Sequence, residues 1–330
     1  MRLLVTGGAG YVGSVVAAQL VETGHEVTVL DDLSGGRRDS VPDGAAYVAG
    51  DVAAEAGAVL ATGGYDGVLH FAARSLVGES VEDPRAYWEA NVGGALALLA
   101  AMREHRVPRL VFSSTAAVYG DPQTVPVPED APCWPANPYG ASKLAADHAI
   151  AGYARAYRLA AVSLRYFNVA GAYGRYGERH DPETHLIPLV LQAAAGQRDA
   201  VTVYGTDYPT PDGTCVRDYI HVADLARAHL LALDALGEVI KPGTWRVYNL
   251  GNGDGFSVWQ VIETAERVTG RAVPVREGAR RTGDPAVLVA SSARARAELG
   301  WTPTRPALAD MIADAWAFLT EGAALTRLPA

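Results

Sequence analysis

The stretch "RLLVTGGAGYVGS" at residues 2–14 leaves few options for how this chain begins to fold. Residues 3–6 are apolar and strand-like, Gly7, Gly10 and Gly13 follow at once, and an apolar helical pattern runs over 11–23. Glycines permit a tight turn and let a ligand approach the backbone closely. The helix behind them offers free N–H groups and the positive end of its dipole, which suits a pyrophosphate. A glycine trio alone also fits a purely structural strand–helix turn. Its place between a strand and a helix favours a dinucleotide site.

The next apolar run, 26–30, ends at Asp31. That is the position from which a carboxylate bonds the adenosine ribose of a dinucleotide and repels a 2′-phosphate, so NAD is expected rather than NADP. Further strands are expected over 68–72, 109–113 and 161–166, with helices over 92–104 and 139–157. Strands that alternate with helices predict an α/β fold, a Rossmann-type doubly wound parallel sheet. After about residue 170, Gly, Pro, His and charged residues become frequent and the alternation weakens. The expectation is therefore a dinucleotide-binding domain over 1–172 and a smaller C-terminal α/β substrate-binding lobe over 173–330. A strand near 247–251 is placed to rejoin the first sheet.

Composition narrows the partners. The 330 residues are 49% hydrophobic and 20% charged, with a net charge of −9, which argues against nucleic acid or an anionic membrane as the main partner. No apolar run reaches the length of a membrane span, and no basic leader precedes an apolar core. Two cysteines, Cys133 and Cys215, are too few for a disulfide framework or a zinc cluster. A cytoplasmic location is expected.

Three segments, "LHFAAR", "LVFSSTAAVYG" and "LRYFNVAG", each run from an apolar strand into small or polar residues. Ligands bind beyond the carboxyl ends of parallel strands, which puts Ser113, Ser114 and Thr115 where a substrate lies. In "NPYGASK", Asn137 is a good helix cap and Pro138 suits a first helical position, so Tyr139 and Lys143 share one helix face. Alone this pair reads equally well as surface decoration. With Thr115 it completes a hydroxyl–tyrosine–lysine set. A phenol ordinarily titrates near about 10, and a neighbouring ammonium and a positive nicotinamide ring both favour its ionised form. Tyr139 could then take a proton from a substrate hydroxyl while the carbon beneath gives up hydride.

With these motifs in view, the chain resembles the extended short-chain dehydrogenase/reductases, and within them the UDP-glucose (UDP-galactose) 4-epimerases. The likeness runs from the first strand to about Trp301. "TGGAGYVGS" and Tyr-x-x-x-Lys mark the wider family; "YPTPDGT" and "VRDYIHVADLA" are specific to the epimerases. Thr115 stands where many members have serine, and the hydroxyl is kept. The resemblance implies a C4 epimerisation: oxidation to a 4-keto sugar, rotation of that sugar, and re-reduction from its opposite face. It implies NAD contacts from Gly7, Gly10, Tyr11, Val12 and Gly13, then from Asp31, Asp51 and Val52. Phe71, Ala72, Ala73 and Asn91 follow, and Ser113, Tyr139, Lys143 and Tyr166 complete that set, with Lys143 also holding the nicotinamide ribose.

For the UDP-sugar it implies Thr115, Tyr139, Phe167 and Asn168, with His185 and Leu186 beyond them. Val201, Thr202, Val203 and Tyr204 flank the uracil, Arg217 and Arg281 pair with the pyrophosphate, Asp284 meets the uridine ribose, and Leu288 gates the C2 side of the hexose. Either arginine could otherwise be an ordinary surface ion pair. Related sugar-nucleotide dehydratases carry an acid just after the Ser/Thr; here Ala116 and Ala117 follow, which favours epimerisation over elimination. UDP-N-acetylhexosamines, UDP-pentoses and UDP-uronic acids remain as alternative substrates, and a non-catalytic NAD sensor as an alternative role. His70 and His221 read as structural, and Trp134, Trp245 and Trp301 as packing. His180 and His185 lie close together but show no cysteine or carboxylate pattern for a metal site, so none is expected. The resemblance also implies a homodimer built on the helices at 92–104 and 139–157.

Overall fold

The computed structural model describes residues 1–281 and 283–325. A parallel sheet of seven strands forms its centre. Six of them come in order from the first half of the chain: β1 (Arg2–Thr6), β2 (Glu26–Asp31), β3 (Ala46–Ala49), β4 (Gly67–His70), β5 (Arg109–Thr115) and β6 (Ala160–Tyr166). Residues Leu3 to Val5 are fully buried, as continuous apolar strands covered on both faces must be. Helices Tyr11–Glu22 and Val222–Ala235 share a core with one face. Helices Val52–Ala61, Gly94–Glu104 and Pro138–Tyr157 cover the other.

The remaining strands are β7 (Asn168–Ala170), β8 (Val201–Tyr204), β9 (Val216–His221), β10 (Trp245–Leu250), β11 (Gly255–Ser257), β12 (Val275–Gly278) and β13 (Val287–Leu288). β10 adds to the large sheet beside β6, giving the spatial order β10-β6-β5-β4-β1-β2-β3. The direction of winding reverses between β1 and β4, which opens a crevice there at the carboxyl ends of the strands. β9 pairs with β7, β11 and β13 in a small sheet, and β8 pairs with β12. Helices Leu186–Ala194, Val258–Thr269 and Leu308–Leu325 pack on a separate apolar core around Val190, Val261 and Met311. A cut at residue 172 does not divide this packing. Helix Val222–Ala235 and β10 come from the second half yet complete the first sheet, because its open face and edge need cover.

Two local departures from the sequence expectations matter. The strand expected over 68–72 ends at His70, because the N–H groups of Phe71 and Ala72 both turn to the carbonyl of Thr6 (2.9 and 3.1 Å) and fold over the end of β1. The helix expected over 92–104 is preceded by a π-helical turn, Trp88–Gly93, so its regular part is Gly94–Glu104. Trp301 is fully buried and donates to Asp224 O at 2.9 Å, whereas Trp134 is 83% exposed, and packing is not its role.

Beneath β5 lies a buried ionic knot that the sequence did not announce. Arg165 of β6 meets Asp147 of helix Pro138–Tyr157 at 3.0 Å, with side-chain exposures of 4% and 0%. Asp147 also accepts from Ser114 Oγ (3.2 Å), and Arg165 donates to Tyr119 OH (3.1 Å). Removing one partner of such a pair strands the other charge. Asp147→Asn is expected to lower the unfolding free energy by about 3–5 kcal/mol in urea titrations. A loss under about 1 kcal/mol, typical of an exposed pair, would contradict this reading.

Candidate active site

The glycine loop closes against the ends of its neighbours. Gly7 adopts a left-handed φ of 71°, and a Cβ there would sit 2.4 Å from Ala72 N. A Cβ at Gly13 would lie 2.2 Å from Gly7 O. Helix Tyr11–Glu22 is capped by Gly10 with no side-chain acceptor, so its first N–H groups face the crevice uncapped. Tyr11 hydroxyl donates to Gly171 O at 2.6 Å and ties this loop to the second half of the chain, while Val12 packs on the core beneath.

Asp31 is buried at the end of β2 and accepts from Ala9 N (2.9 Å) and Leu33 N (2.8 Å). Burial outweighs those bonds and pushes its carboxyl up from the usual range. Asp51 caps helix Val52–Ala61, accepting from Ala53 N at 2.8 Å and Ala54 N at 3.3 Å. Asn91, on the π-helical turn, accepts from Arg74 N at 2.8 Å and donates to Arg74 O (3.0 Å) and Ser142 Oγ (2.9 Å). The extra residue in that turn places a polar side chain where it clamps the segment after β4, following Ala73, to helix Pro138–Tyr157.

Asn137 caps that helix by accepting from Gly140 N at 2.9 Å, and Pro138 occupies its first turn. Tyr139 follows, with its phenol close to the Thr115 hydroxyl at the end of β5. Burial raises the Tyr139 pKa, and the nearby Thr115 hydroxyl opposes that rise. Lys143 does not reach the phenol. Its ammonium donates to Ser113 O at 2.8 Å and lies 4.9 Å from the Phe112 ring centre. The side chain is 2% exposed, and burial lowers its pKa to about 8. Ser113 hydroxyl in turn hydrogen-bonds Tyr166 OH. In place of the expected Tyr–Lys couple, the ammonium is bonded to the end of β5, whose backbone carbonyl it meets directly.

The substrate set continues from the same edge. Thr115 is in register with Tyr166, the last residue of β6. Phe167 and β7 follow, and β7 places Asn168 beside Tyr219 of β9. Arg217, also on β9, is in register with Leu288 of β13. Leu288 packs on a cluster containing Ala116 and Phe167, next to Thr115. Arg217 donates to the carbonyls of Val216 (2.9 Å) and Pro285 (2.8 Å) and faces Asp284 at 3.5 Å. Arg281 stacks 4.0 Å over the Tyr204 ring at the end of β8, the strand that begins Val201, Thr202, Val203.

His185 precedes Leu186 at the start of helix Leu186–Ala194, but its Nδ1 lies 2.6 Å from Glu178 and 3.4 Å from Glu183. Burial would lower its pKa; the two carboxylates outweigh that and raise it. The carboxylates missing from the sequence view of His180 and His185 are therefore present, brought in from Glu178 and Glu183. His70 is a core residue, accepting or donating with Thr6 Oγ1 at 2.6 Å, and burial lowers it to about 3. His221 is structural as well, held between Ala223 N and Asp314. Sequence reasoning missed Asp218, whose carboxylate accepts from Asn252, Gly253 and Ala290 N–H groups at 2.8–3.0 Å and so fixes the loops behind Arg217 and Leu288. Its only signal was a carboxylate in mid-strand, directly before the apolar pair Tyr219-Ile220.

A model of the NAD dependent epimerase/dehydratase family matches residues 3–251. The chain belongs to this family. It is 58% identical over 318 residues to a UDP-glucose 4-epimerase of Corynebacterium glutamicum, covering 96% of this chain and 95% of that one. Identity to a UDP-glucose 4-epimerase of Streptomyces lividans is 59% over 319 residues, with 96% and 95% covered. The crystal structure of UDP-glucose 4-epimerase from Brucella ovis in complex with NAD superimposes with a TM-score of 0.92 at 46% identity, covering 96% of this chain and 98% of that one. As in the rest of the NAD dependent family, the cofactor is NAD. The crevice of this chain fits it: the positions of Gly7 and Gly13 exclude a Cβ, the Gly10 cap leaves N–H donors for a pyrophosphate, and Asp31 stands where a ribose is read.

The buried ammonium sets a test. Folded, Lys143 loses its proton near pH 8; unfolded, near about 10.4. Between these values the unfolded chain binds the extra proton, so stability rises with pH; below the folded value the cost of burying the charge is constant. Relative to Lys143→Met, the parent is expected to gain about 1 kcal/mol per pH unit across that window. Urea titrations of both proteins at several pH values check this, and a pH-independent difference would contradict it.

Proposed function

We propose that this protein is an isomerase that interconverts UDP-glucose and UDP-galactose at C4 of the hexose. The observation that carries the reading is the buried Tyr139 phenol beside Thr115 at the carboxyl end of β5, which is followed by Ala116 and Ala117 rather than an acid. The names of the relatives support the same activity. NAD, when bound, takes up a hydride and returns it. Burial alone holds the Tyr139 phenol neutral. Its ionised form, favoured beside the positive nicotinamide ring of bound NAD, would accept the proton of the C4 hydroxyl as the C–O bond becomes a carbonyl and return it when the alcohol reforms. Thr115 holds the same hydroxyl in line, and Lys143 fixes the end of β5 through Ser113. With no carboxyl at 116 or 117, the C6 hydroxyl has no acid to expel it, so the ketone goes back to an alcohol. Arg217, Arg281 and Asp284 bind the non-reacting UDP, which retains the intermediate while the sugar turns.

We place the homodimer seam on helices Gly94–Glu104 and Pro138–Tyr157, whose outer surface exposes Leu96 and Tyr157. Among the described residues no helix is long and apolar enough to cross a membrane.

Purified protein is expected to convert UDP-galactose to UDP-glucose with no added nucleotide. Tyr139→Phe should keep its fold and bound NAD yet lose about 10²–10⁴-fold in turnover. Inert parent protein, or a variant with near-parental turnover at every pH, would overturn the assignment.

Leu288 sets the breadth of the pocket. It is partly buried against Ala116 and Phe167, so extra volume on the C2 side of the hexose meets a branched, apolar wall. Close-packed sites feel even one added methylene. Weak turnover of UDP-N-acetylglucosamine beside strong turnover of UDP-glucose is expected, and Leu288→Tyr should remove the first and spare the second. An unchanged ratio of the two rates in the variant would show that Leu288 is not the gate.

A further inference from the structure

Residues 171–185 join β7 to helix Leu186–Ala194, and four of them converge. Glu178, His180, Glu183 and His185 each present one side-chain donor atom, and these four atoms all lie within 4.8 Å of one another. Glu178 Oε1 is 3.0 Å from His180 Nδ1 and 2.6 Å from His185 Nδ1. Both Nδ1 atoms are buried and lie against the carboxylate without being in line for a hydrogen bond. Glu183 accepts from Thr184 N (2.7 Å) and His185 N (2.8 Å), which fixes its orientation.

Among the described residues no arginine or lysine pairs with either carboxylate of this cluster. The Glu178 and Glu183 side chains are only 9% and 7% exposed. The two nearest arginines point elsewhere: Arg179 forks onto Asp39 at 2.8 and 3.0 Å, and Arg175 serves Asp43 and the carbonyls of Asp39 and Val41. Protonating both imidazoles would put two positive rings 5.2 Å apart, which is itself unfavourable. One divalent cation meets all four demands. It neutralises two carboxylates and takes two imidazole lone pairs.

We propose that Glu178, His180, Glu183 and His185 form a binding site for a divalent transition-metal cation of the zinc class. A mixed set of two imidazoles and two carboxylates suits zinc or cobalt; calcium and magnesium prefer oxygen alone. Tetrahedral zinc holds its ligand atoms roughly 3.4 Å apart, and the contacts here bracket that spacing, so small side-chain shifts complete the site. A cavity of about 180 Å³ lined by Glu178, His180 and Glu183 gives the ion a way in.

The cation's role is structural. Gly171, at one end of the segment, is bonded to Tyr11 of the glycine loop, and His180 shares a small cleft with Gly10 and Tyr11. His185, at the other end, begins helix Leu186–Ala194. The ion pins a segment of irregular backbone between the two nucleotide-binding loops and cuts the entropy of closing it. The site does not depend on the proposed epimerase reaction, and its test reads the metal alone.

Full-length protein freed of metal with EDTA is titrated with cobalt(II) chloride, then with zinc chloride. One equivalent of cobalt per chain, with the strong visible bands of a low-coordinate ion and displacement by zinc, is expected. Zinc should raise the melting temperature of the parent. His180→Ala and, separately, Glu183→Gln should each weaken uptake at least tenfold and lose that rise. Absence of one-equivalent uptake by the parent overturns the proposal. So does uptake that is unchanged in both variants.

Discussion

A guanidinium with almost no exposure has to be neutralised and hydrogen-bonded where it sits, and here that necessity joins the pieces of the reaction centre. Arg165 belongs to β6, Asp147 to the helix that carries Tyr139 and Lys143, and Tyr119 to the turn that follows Thr115. Tyr119 hands the network on to Asn249 of β10 at 2.7 Å, and Asn249 donates to Val127 O at 2.9 Å. One buried pair therefore fixes the strand end, the helix and the turn relative to one another. Such a pair contributes little net stability compared with an apolar replacement. What it does here is hold Tyr139 and Thr115 at a set distance, which apolar packing specifies less sharply.

The second constraint is that two ligands meet at one sheet edge although they are bound by different stretches of chain. The dinucleotide crevice follows from the reversal of winding between β1 and β4. Arg217, proposed for the nucleotide sugar, sits on β9, which lies outside the large sheet. β7 bridges them, since it starts two residues after the end of β6 and pairs with β9. Asp218, buried in β9, accepts three backbone N–H groups from loops on both sides, and burial still raises its pKa to about 6. A carboxylate in that position works as a backbone clamp and keeps Arg217 and Leu288 in register with the catalytic strand.

Much of this was legible in the sequence where one residue type answers one local demand. Gly7 and Gly13 could be read because only glycine tolerates their backbone approach. Asn137-Pro138 could be read because cap chemistry is local, and the Tyr139–Lys143 spacing because helical period is local. The family's motifs then supplied the residues expected to meet the substrate. What could not be read depends on distant partners. The Arg165–Asp147 pair joins residues on different elements, and nothing in either neighbourhood marks it as buried. Lys143 turned to Ser113 O because β5 runs beside it, a tertiary fact that overrides the one-turn proximity to Tyr139. The four residues around Glu178 are close in sequence, but their irregular spacing matches no helical or strand period, so only the folded loop brings their side chains together.

The distribution of polarity across the site is the last link to the reaction. Around the proposed sugar position the neighbours are Ala116, Phe167 and Leu288, an apolar wall with few directional groups. Around the proposed nucleotide position stand Arg217, which faces Asp284, and Arg281, which stacks over Tyr204. A hexose that must present both faces to one hydride acceptor needs weak, non-directional contacts, because each strong hydrogen bond to it would have to break before it turned. A diphosphate that must not leave needs charge-assisted contacts that persist throughout. Binding energy placed on the part that does not react leaves the reacting ring free, and only Tyr139 and Thr115 have to meet it in either orientation.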